Sequence, residues 1–314
     1  MSSLEFKTDG CIRYAVSPLL VLGSERRSLD DAGWVDEQVT GEHHVVAFSL
    51  APVEVRFANR HPALLAPTAV AFARPRTTYF RSARCDRGQR TIFIGLDGTT
   101  AKDVYGDASR ITAEAADSSA HVVPASATAL AIAIQLERHL FDAKADRAES
   151  NIEPIVFEEY ALQAALYSFH FYSESRQAVS NRSGGNEQRE LVDGALDLIC
   201  FQPEKKWALS ELAGAVALSP AYLSRIFRVH TGRTLSQCLM LIRVARALEQ
   251  LGDRRGELTA LALECGFSSH SHMTAAFSKL LGLPPQQLID VSTKSVREMM
   301  ARLEDGWRIR KRGS

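Results

Sequence analysis

Between positions 11 and 96 the apolar residues fall in short runs broken by Pro and Gly. This spacing predicts strands over 12–22, 44–50, 53–58, 69–73, 78–84 and 90–96, with breaks at Gly23, Pro52, Pro62, Pro67, Pro75 and Gly88. In Val53-Glu54-Val55-Arg56-Phe57 apolar and charged residues alternate, which turns one face to a core and the other to water. Short strands at even spacing predict a small barrel or sandwich over about 11–100.

Downstream the period changes to that of a helix. Ser126 is placed to cap a helix ending near 141, and Pro154 opens a second that runs to about 172. In the second, Val156, Tyr160, Tyr167 and Phe171 form a stripe that Ile155, Leu162, Leu166 and Phe169 widen. A helix apolar over so much of its circumference packs on the barrel or meets another subunit. Residues 173–188 hold few apolar groups and contain Ser183-Gly184-Gly185, a linker composition. Helical periodicity then resumes to about 302.

Within that last stretch the sequence repeats itself. Leu209, Leu212, Ala213, Val216, Leu218 and Ser219 are matched 49 positions later by Leu258, Leu261, Ala262, Cys265, Phe267 and Ser268. After one extra residue the offset becomes 50, and Leu223, Ser224 and Phe227 match Met273, Thr274 and Phe277. Each copy reads as a helix, a break and a second short helix, the pattern of a helix-turn-helix unit. In the first copy a helix over 208–217 buries Leu209, Leu212, Ala213 and Val216. Ser219 caps the next helix, and Pro220 suits its first position. Leu223, Ile226 and Phe227 point inward, which leaves Ala221, Tyr222, Ser224, Arg225 and Arg228 outward. In the second copy Gly266 ends one helix, Ser268 or Ser269 caps the other, and Met273, Phe277 and Leu280 turn inward. Its outward residues are His270, Ser271, Thr274, Ala275 and Lys279.

A helix over 234–250, with Leu235, Cys238, Leu239, Ile242, Ala245 and Leu248 inward, joins the copies and holds them in register. Two such units about 34 Å apart reach successive major grooves of one duplex. Arg225 suits bidentate contact with guanine, and Ser224 and Thr274 suit base edges or a thymine methyl. Arg228 and Lys279 suit phosphates.

The motifs L-S-P-A-Y-L-S-R-I-F (218–227), Thr231-Gly232, A-L-E-C-G-F-S-S-H-S-H-M-T-A-A-F (262–277) and G-L-P-P (282–285) resemble the DNA-binding domain of the AraC/XylS family of bacterial transcription regulators. The resemblance runs from about Leu209 to Leu288, about a quarter of the chain. It implies base reading by Ala221, Ser224 and Arg225 in the first unit and by His270, Ser271 and Thr274 in the second. Three positions depart from the family pattern. Ala275 stands where the family usually carries Arg, Ala217 replaces the usual turn Gly, and Leu288 replaces a frequent Tyr. The first unit is therefore expected to dominate specificity.

The same resemblance implies an N-terminal cupin-like domain that binds a small effector and dimerises. The fold expected is a multidomain α+β chain, with a small cupin-like β-barrel and helices followed by an all-α domain of two helix-turn-helix units. Expected boundaries are 1–175 for the regulatory domain, 176–188 for the linker, 189–290 for the DNA-binding domain and 291–314 for a helix and basic tail.

Composition supports a globular chain: 46% of the 314 residues are hydrophobic and 24% charged. No apolar run is long enough to span a bilayer, and MSSLEFKTDG does not read as a secretory signal. The zero net charge divides unevenly. Residues 1–185 carry 19 Lys and Arg against 23 Asp and Glu, a net of −4, and residues 186–314 carry 18 against 14, a net of +4. The basic excess, ending in Arg308-Ile309-Arg310-Lys311-Arg312, fits a polyanionic partner. Five scattered cysteines without a C-x-x-C pair fit a reducing cytoplasm.

In the N-terminal half the chemistry is sparser. A metal-dependent cupin enzyme needs spaced histidines facing one cavity, whereas His43 and His44 are adjacent and alternate faces, and His61 and His121 are distant. No catalytic residue, metal or cofactor is therefore expected. Cys11 and Cys85 read either as a redox or metal pair with His43 or, preferably, as buried thiols. The cluster Arg74, Arg76, Arg81, Arg84, Arg87 and Arg90 reads as an anionic effector pocket or, preferably, as solvated strand edges. Trp34, His43, Phe72, Tyr79 and Arg81 are the candidate effector contacts, with aromatic core packing as the alternative. The expected function is a dimeric cytoplasmic regulator, preferably an activator, partnered by promoter DNA, RNA polymerase and a small molecule. The alternatives are a cupin enzyme with a DNA-binding tail and a constitutive regulator whose barrel only dimerises.

Overall fold

The computed structural model describes residues 4–30, 34, 37–57, 61–84, 88–105, 120–141, 154–179, 186–254, 256–291 and 301–303. The chain divides into two compact units, Met1–Ala125 with Ala133–Tyr172, and Ser126–Ile132 with Ser173–Ser314.

In chain order the strands are β1 (Glu5–Asp9), β2 (Ile12–Val16), β3 (Leu20–Arg27), β4 (Gln38–Val39), β5 (His44–Ser49), β6 (Val53–Phe57), β7 (Ala63–Leu65), β8 (Ala69–Ala73), β9 (Thr78–Ala83), β10 (Gln89–Leu96) and β11 (Ala120–Pro124). Helices α1 (Gly98–Tyr105), α2 (Ala127–Phe141) and α3 (Pro154–Val179) accompany them. Of the barrel and the sandwich that the spacing allows, the structure takes the sandwich: two open antiparallel sheets, one in the order β1-β2-β3-β10-β5-β8-β11 and one in the order β4-β9-β6-β7. Consecutive strands change layers. β5 lies in one sheet and β6 in the other, and so do β8 and β9. At the second crossing Arg76 takes a left-handed φ of 58°. The single strand expected over 12–22 is a hairpin. Pro18 supplies no N–H, and Ser17 turns the chain by donating its backbone N–H to the Leu20 carbonyl at 2.9 Å while its hydroxyl accepts from Leu19 and Leu20.

The two faces of the large sheet have different work. Val53, Val55 and Phe57 of β6 meet Ala71 and Ala73 of β8 and Trp34 in one buried cluster, so the sheets pack face to face. At Gly23 the ring of Phe93 lies flat on the backbone, where a Cβ would come within 2.1 Å of it. Tyr14 meets the same Phe93 ring edge-on at 5.9 Å. On the opposite face Phe72 packs against Tyr105 of α1, which in turn meets Phe169 of α3 at 5.3 Å. Helix α3 buries Val156, Phe157, Tyr160 and Tyr167, but Ile155, expected on the stripe, is 65% exposed. It also runs past its expected end through the polar segment to Val179, because Glu174, Arg176, Gln177 and Ala178 are good helix formers. Of the expected linker, 176–179 and 186–188 are thus helical, and 180–185 lie outside the described residues.

Two buried carboxylates tie these layers. Glu25 on β3 pairs with Arg81 on β9 of the other sheet and with Arg27, whose Nε donates at 3.0 Å. From the helix-facing side of the same region, Ser24 donates to Glu137 of α2 at 2.8 Å, and Arg26 and Arg90 add ion pairs. Burial alone raises both carboxyls, but the guanidiniums outweigh it and hold Glu25 and Glu137 below the ordinary value. Arg81 and Arg90 are accordingly not the solvated edge residues the sequence favours. Arg76, paired with Glu42 on the surface, is one.

The second unit is helical: α4 (Asn186–Phe201), α5 (Leu209–Ala215), α6 (Pro220–Thr231), α7 (Leu235–Gln250), α8 (Leu258–Glu264), α9 (His270–Leu281) and α10 (Pro285–Val291). Helix α5 buries Leu212 and Ala213, but Leu209, its first residue, stays 39% exposed because no preceding turn covers it, and Val216, beyond its last turn, is half-buried. In α9 the inward residue of the last turn is Leu281 rather than Leu280. Helix α7 starts with a capping box between Thr234 and Gln237 and buries Cys238, Leu241, Ile242, Val244, Ala245 and Leu248, with Leu235 and Leu239 half-buried. It also buries Arg243, whose Nε donates to the Pro203 carbonyl at 2.6 Å and whose terminal nitrogen donates to the Lys205 carbonyl at 2.9 Å. Burial lowers the Arg243 pKa, with Glu204 opposing. The Gly266 turn, at φ 87°, seats against the same loop. A Cβ there would fall 2.4 Å from the Glu204 Cα and 2.7 Å from the Pro203 oxygen. In the first copy Ala217 occupies the matching turn with φ 54°, the left-handed conformation that a Cβ disfavours.

Three outcomes follow from this packing. The paired carboxylates contribute stability that is fully present above about pH 4.5 and is lost as pH falls through their lowered folded values. Thermal melting across that range should show the acid limb. Glu137→Gln should flatten it and cost about 1–3 kcal/mol at neutral pH, and an unchanged limb would assign it to other groups. Ala217→Gly should raise the unfolding free energy by about 1 kcal/mol in urea titration. In the same assay Arg243→Met should cost about 2–4 kcal/mol by stranding two carbonyls, whereas a change below about 0.5 kcal/mol would mean that water replaces the guanidinium.

Candidate nucleic-acid interface

Helices α6 and α9 are built alike. Each is 12 residues long. Each begins on a serine, Ser219 accepting from the Tyr222 N–H at 3.3 Å and Ser269 from the His272 N–H at 3.1 Å. Each ends on a left-handed glycine, Gly232 at φ 69° and Gly282 at φ 80°. These caps satisfy backbone groups that short helices otherwise leave open, and the buried apolar side of each supplies the rest of its stability. Of the two serines the sequence offered, Ser269 is the cap. Ser268 instead bonds through its hydroxyl to the His272 ring at 3.1 Å.

The apolar sides are inward. Leu223, Ile226 and Phe227 of α6 are fully buried, as are Met273 and Phe277 of α9, with Ala276 at 4%. On α6, Ala221, Ser224, Arg225 and Arg228 are all exposed. On α9, Ser271, Ala275 and Lys279 are exposed, while His270 and Thr274 are half-buried and lie 3.5 Å apart through Nε2 and Oγ1. The two helices thus present unlike surfaces. α6 carries two guanidiniums one turn apart. At the matching places α9 carries Ala275 and Ser278, leaving Lys279 as its cation.

The sequence reading places Tyr222 outward without a role and does not single out His272; Tyr222 is half-buried. Tyr222 lies under Arg225, whose guanidinium carbon is 4.9 Å from the ring centroid, and its hydroxyl accepts from Gln188 of α4 at 3.1 Å. The i,i+3 spacing of Tyr222 and Arg225 is visible in the sequence, but the partnership with Gln188, 34 residues upstream, is not. His272 meets Phe267 edge-on at 5.6 Å and so braces the turn before α9.

The N-terminal candidates are divided by the large sheet. Trp34 is buried in the cluster between the sheets with Tyr79 packed against it, and Trp34 Nε1 donates to the Ser28 carbonyl at 2.7 Å. The Arg81 guanidinium lies 5.6 Å from the Tyr79 ring. Phe72, by the alternation of β8, faces the helices and meets Tyr105 and Tyr172. His43 sits beside Gly95 at the end of β10. The half-buried Cys11 thiol lies 3.7 Å from Glu25, and burial followed by that charge raises its pKa, away from an activated thiolate. Cys85 and Arg87 lie outside the described residues, as do most of 291–314, including the basic tail.

The comparisons agree on the helical pair. A family described as a helix-turn-helix domain matches residues 212–290. An HTH-type transcriptional regulator of Haemophilus influenzae is 31% identical over 100 residues, covering 32% of this chain and 34% of that one. A putative AraC-like transcription regulator of Streptomyces lividans is 30% identical over 95 residues, 30% of this chain and 31% of its own. The HTH-type transcriptional activator RhaR of an Enterobacter species is 23% identical over 144 residues, 46% and 48% of the two chains. The matches thus span about a third to a half of the length of these relatives. Among solved structures, ToxT from Vibrio cholerae aligns over 88% of this chain and 99% of its own at 10% identity, with a TM-score of 0.33. The DNA-binding domain of AdpA, solved in complex with a target DNA, aligns over 34% and 93% at 25% identity, with a TM-score of 0.29. Scores this low establish no shared fold. Residues 212–290 thus match a helix-turn-helix domain, and the relatives similar to this chain over the doubled unit include AraC-like transcription regulators.

Proposed function

We propose that this chain is a sequence-specific DNA-binding regulator of transcription of the AraC/XylS type, acting in the cytoplasm as a dimer on promoter DNA. The observation that carries the proposal is the pair of capped helices, each with its apolar side buried and its polar side exposed, on one connecting helix. Arg225, Ser224 and Ala221 face base edges, with Arg225 suited to guanine, and His270, Ser271 and Thr274 serve the second half of the site. Arg228 and Lys279 meet phosphates. The first unit carries more of the specificity, since Ala275 offers no hydrogen bond.

Activation is the preferred sign, with RNA polymerase as the partner. The similarity to RhaR, whose name is that of an activator, supports it. The N-terminal unit acts as a regulatory module rather than an enzyme, and a small molecule tunes promoter binding through the space between the sheets. Trp34, Tyr79 and Arg81 are the effector contacts that share this space. Phe72 lies on the other face of the large sheet, and His43 lies near its margin.

Fragments of genomic DNA retained by the full chain supply the test duplex. On it Arg225→Ala should cost about 1–3 kcal/mol and relax preference at one base pair, measured by anisotropy against single-base variants. Unchanged discrimination would remove α6 from the groove. Lys279→Ala should weaken all duplexes alike and reduce the slope of log affinity against log salt by about one unit. A loss confined to one sequence would make Lys279 a base contact instead.

A further inference from the structure

Only one of the two reading helices has a platform for its cation among the described residues. Arg225 stacks over Tyr222, 4.9 Å from the ring centroid. At the matching places of α9 stand His272, whose ring is turned onto Phe267 and Ser268, and Ala275. Tyr222 is itself held at both ends. Its backbone N–H donates to the Ser219 cap, and its hydroxyl accepts from Gln188 Nε2. A half-buried ring fixed in this way is a fixed surface for the exposed Arg225 side chain.

We infer that Tyr222 is a positioning residue for Arg225, holding the guanidinium in the orientation in which it reads its base, and that Gln188 holds Tyr222. The inference rests on the proposed reading of Arg225 as a base contact. Its physical ground is that a guanidinium stacked on a ring uses its flat face, while the N–H fork lies in the plane and stays free. That fork matches the O6 and N7 acceptors of guanine. A long side chain ordered before binding also loses less freedom when it binds, so its contact discriminates more strongly. The ring, its hydroxyl and the amide of α4 therefore act on specificity without touching the base.

The test uses the full chain, its selected genomic duplex, every single-base variant of that duplex and a scrambled duplex. Tyr222→Leu should lower affinity about two- to fivefold for the selected duplex. It should do so only at the base pair to which Arg225→Ala is indifferent, with affinity for the scrambled duplex and the melting temperature unchanged. Tyr222→Phe keeps the ring and should retain most of the discrimination. Gln188→Leu leaves the tyrosine in place and should give a smaller loss at the same base pair, a result that stands even if Tyr222→Leu does not fold. Combined with Arg225→Ala, Tyr222→Leu should add no further loss.

Equal weakening on all duplexes, or an additive loss in the double variant, would overturn the inference, the first by making Tyr222 merely structural and the second by making it an independent contact. If Arg225→Ala itself leaves discrimination intact, the reading of Arg225 falls and the inference falls with it. If Arg225→Ala relaxes one base pair while Tyr222→Leu and Gln188→Leu do not, only the inference fails.

Discussion

A charge buried in the connecting helix sets the geometry of the C-terminal unit. Arg243 is 7% exposed, and an unpaired guanidinium in that position costs several kcal/mol. It is tolerated because the carbonyls of Pro203 and Lys205 accept from it. Those carbonyls belong to the loop that leads into the first helix-turn-helix unit, and the turn of the second unit closes on the same loop at Gly266. One guanidinium thus ties the approach to the first unit, the strut between the units and the turn of the second. Arg246 reinforces the junction from outside through Glu204 at 2.8 Å. Apolar packing along α7 can slide by small amounts, but two directed hydrogen bonds and a backbone contact that excludes a Cβ cannot.

On this rigid base the two units have diverged. Both keep the caps and the inward triad, because those make a short helix stable whatever it binds. They differ where only function constrains them. The first unit retains its cations and spends strain on a left-handed alanine at 217. The second keeps the relaxed glycine turn at 266 but carries Ala275 and Ser278 in place of guanidiniums. The helix with the sharper chemistry is therefore the one on the less comfortable turn.

The N-terminal unit uses the same device of a buried charge with partners on two layers. Strand β3 turns Glu25 toward Arg81 between the sheets and turns Ser24 and Arg26 toward Glu137 of α2. Adjacent residues of one strand thus couple the space between the sheets to the helix on the far side, since period-two alternation places neighbours on opposite faces. A molecule competing for Arg81 would act on that strand directly.

Local rules made much of this legible in advance. The repeat, the cap at Ser219, the glycine turn at 266, the left-handed cost at Ala217 and the outward set on α6 all depend on neighbours within about one helical turn. Errors arose where the outcome depended on residues distant in sequence. Barrel and sandwich stayed open in the sequence because period-two alternation reports which face is buried but not whether the next strand pairs or crosses. Arg81 and Arg90 resembled surface residues until the fold brought Glu25 and Glu137 to them. Arg243 draws no reading from the sequence, and Gln188 reads as linker. The sequence by itself determined the paired helix-turn-helix elements and the chemistry each outward face carries, because these follow from backbone sterics and side-chain spacing. Only the tertiary structure decided which charges are buried in pairs and which backbone each guanidinium holds, because a buried charge finds its partner through space, and residues 40 or 113 positions apart carry no local mark of it.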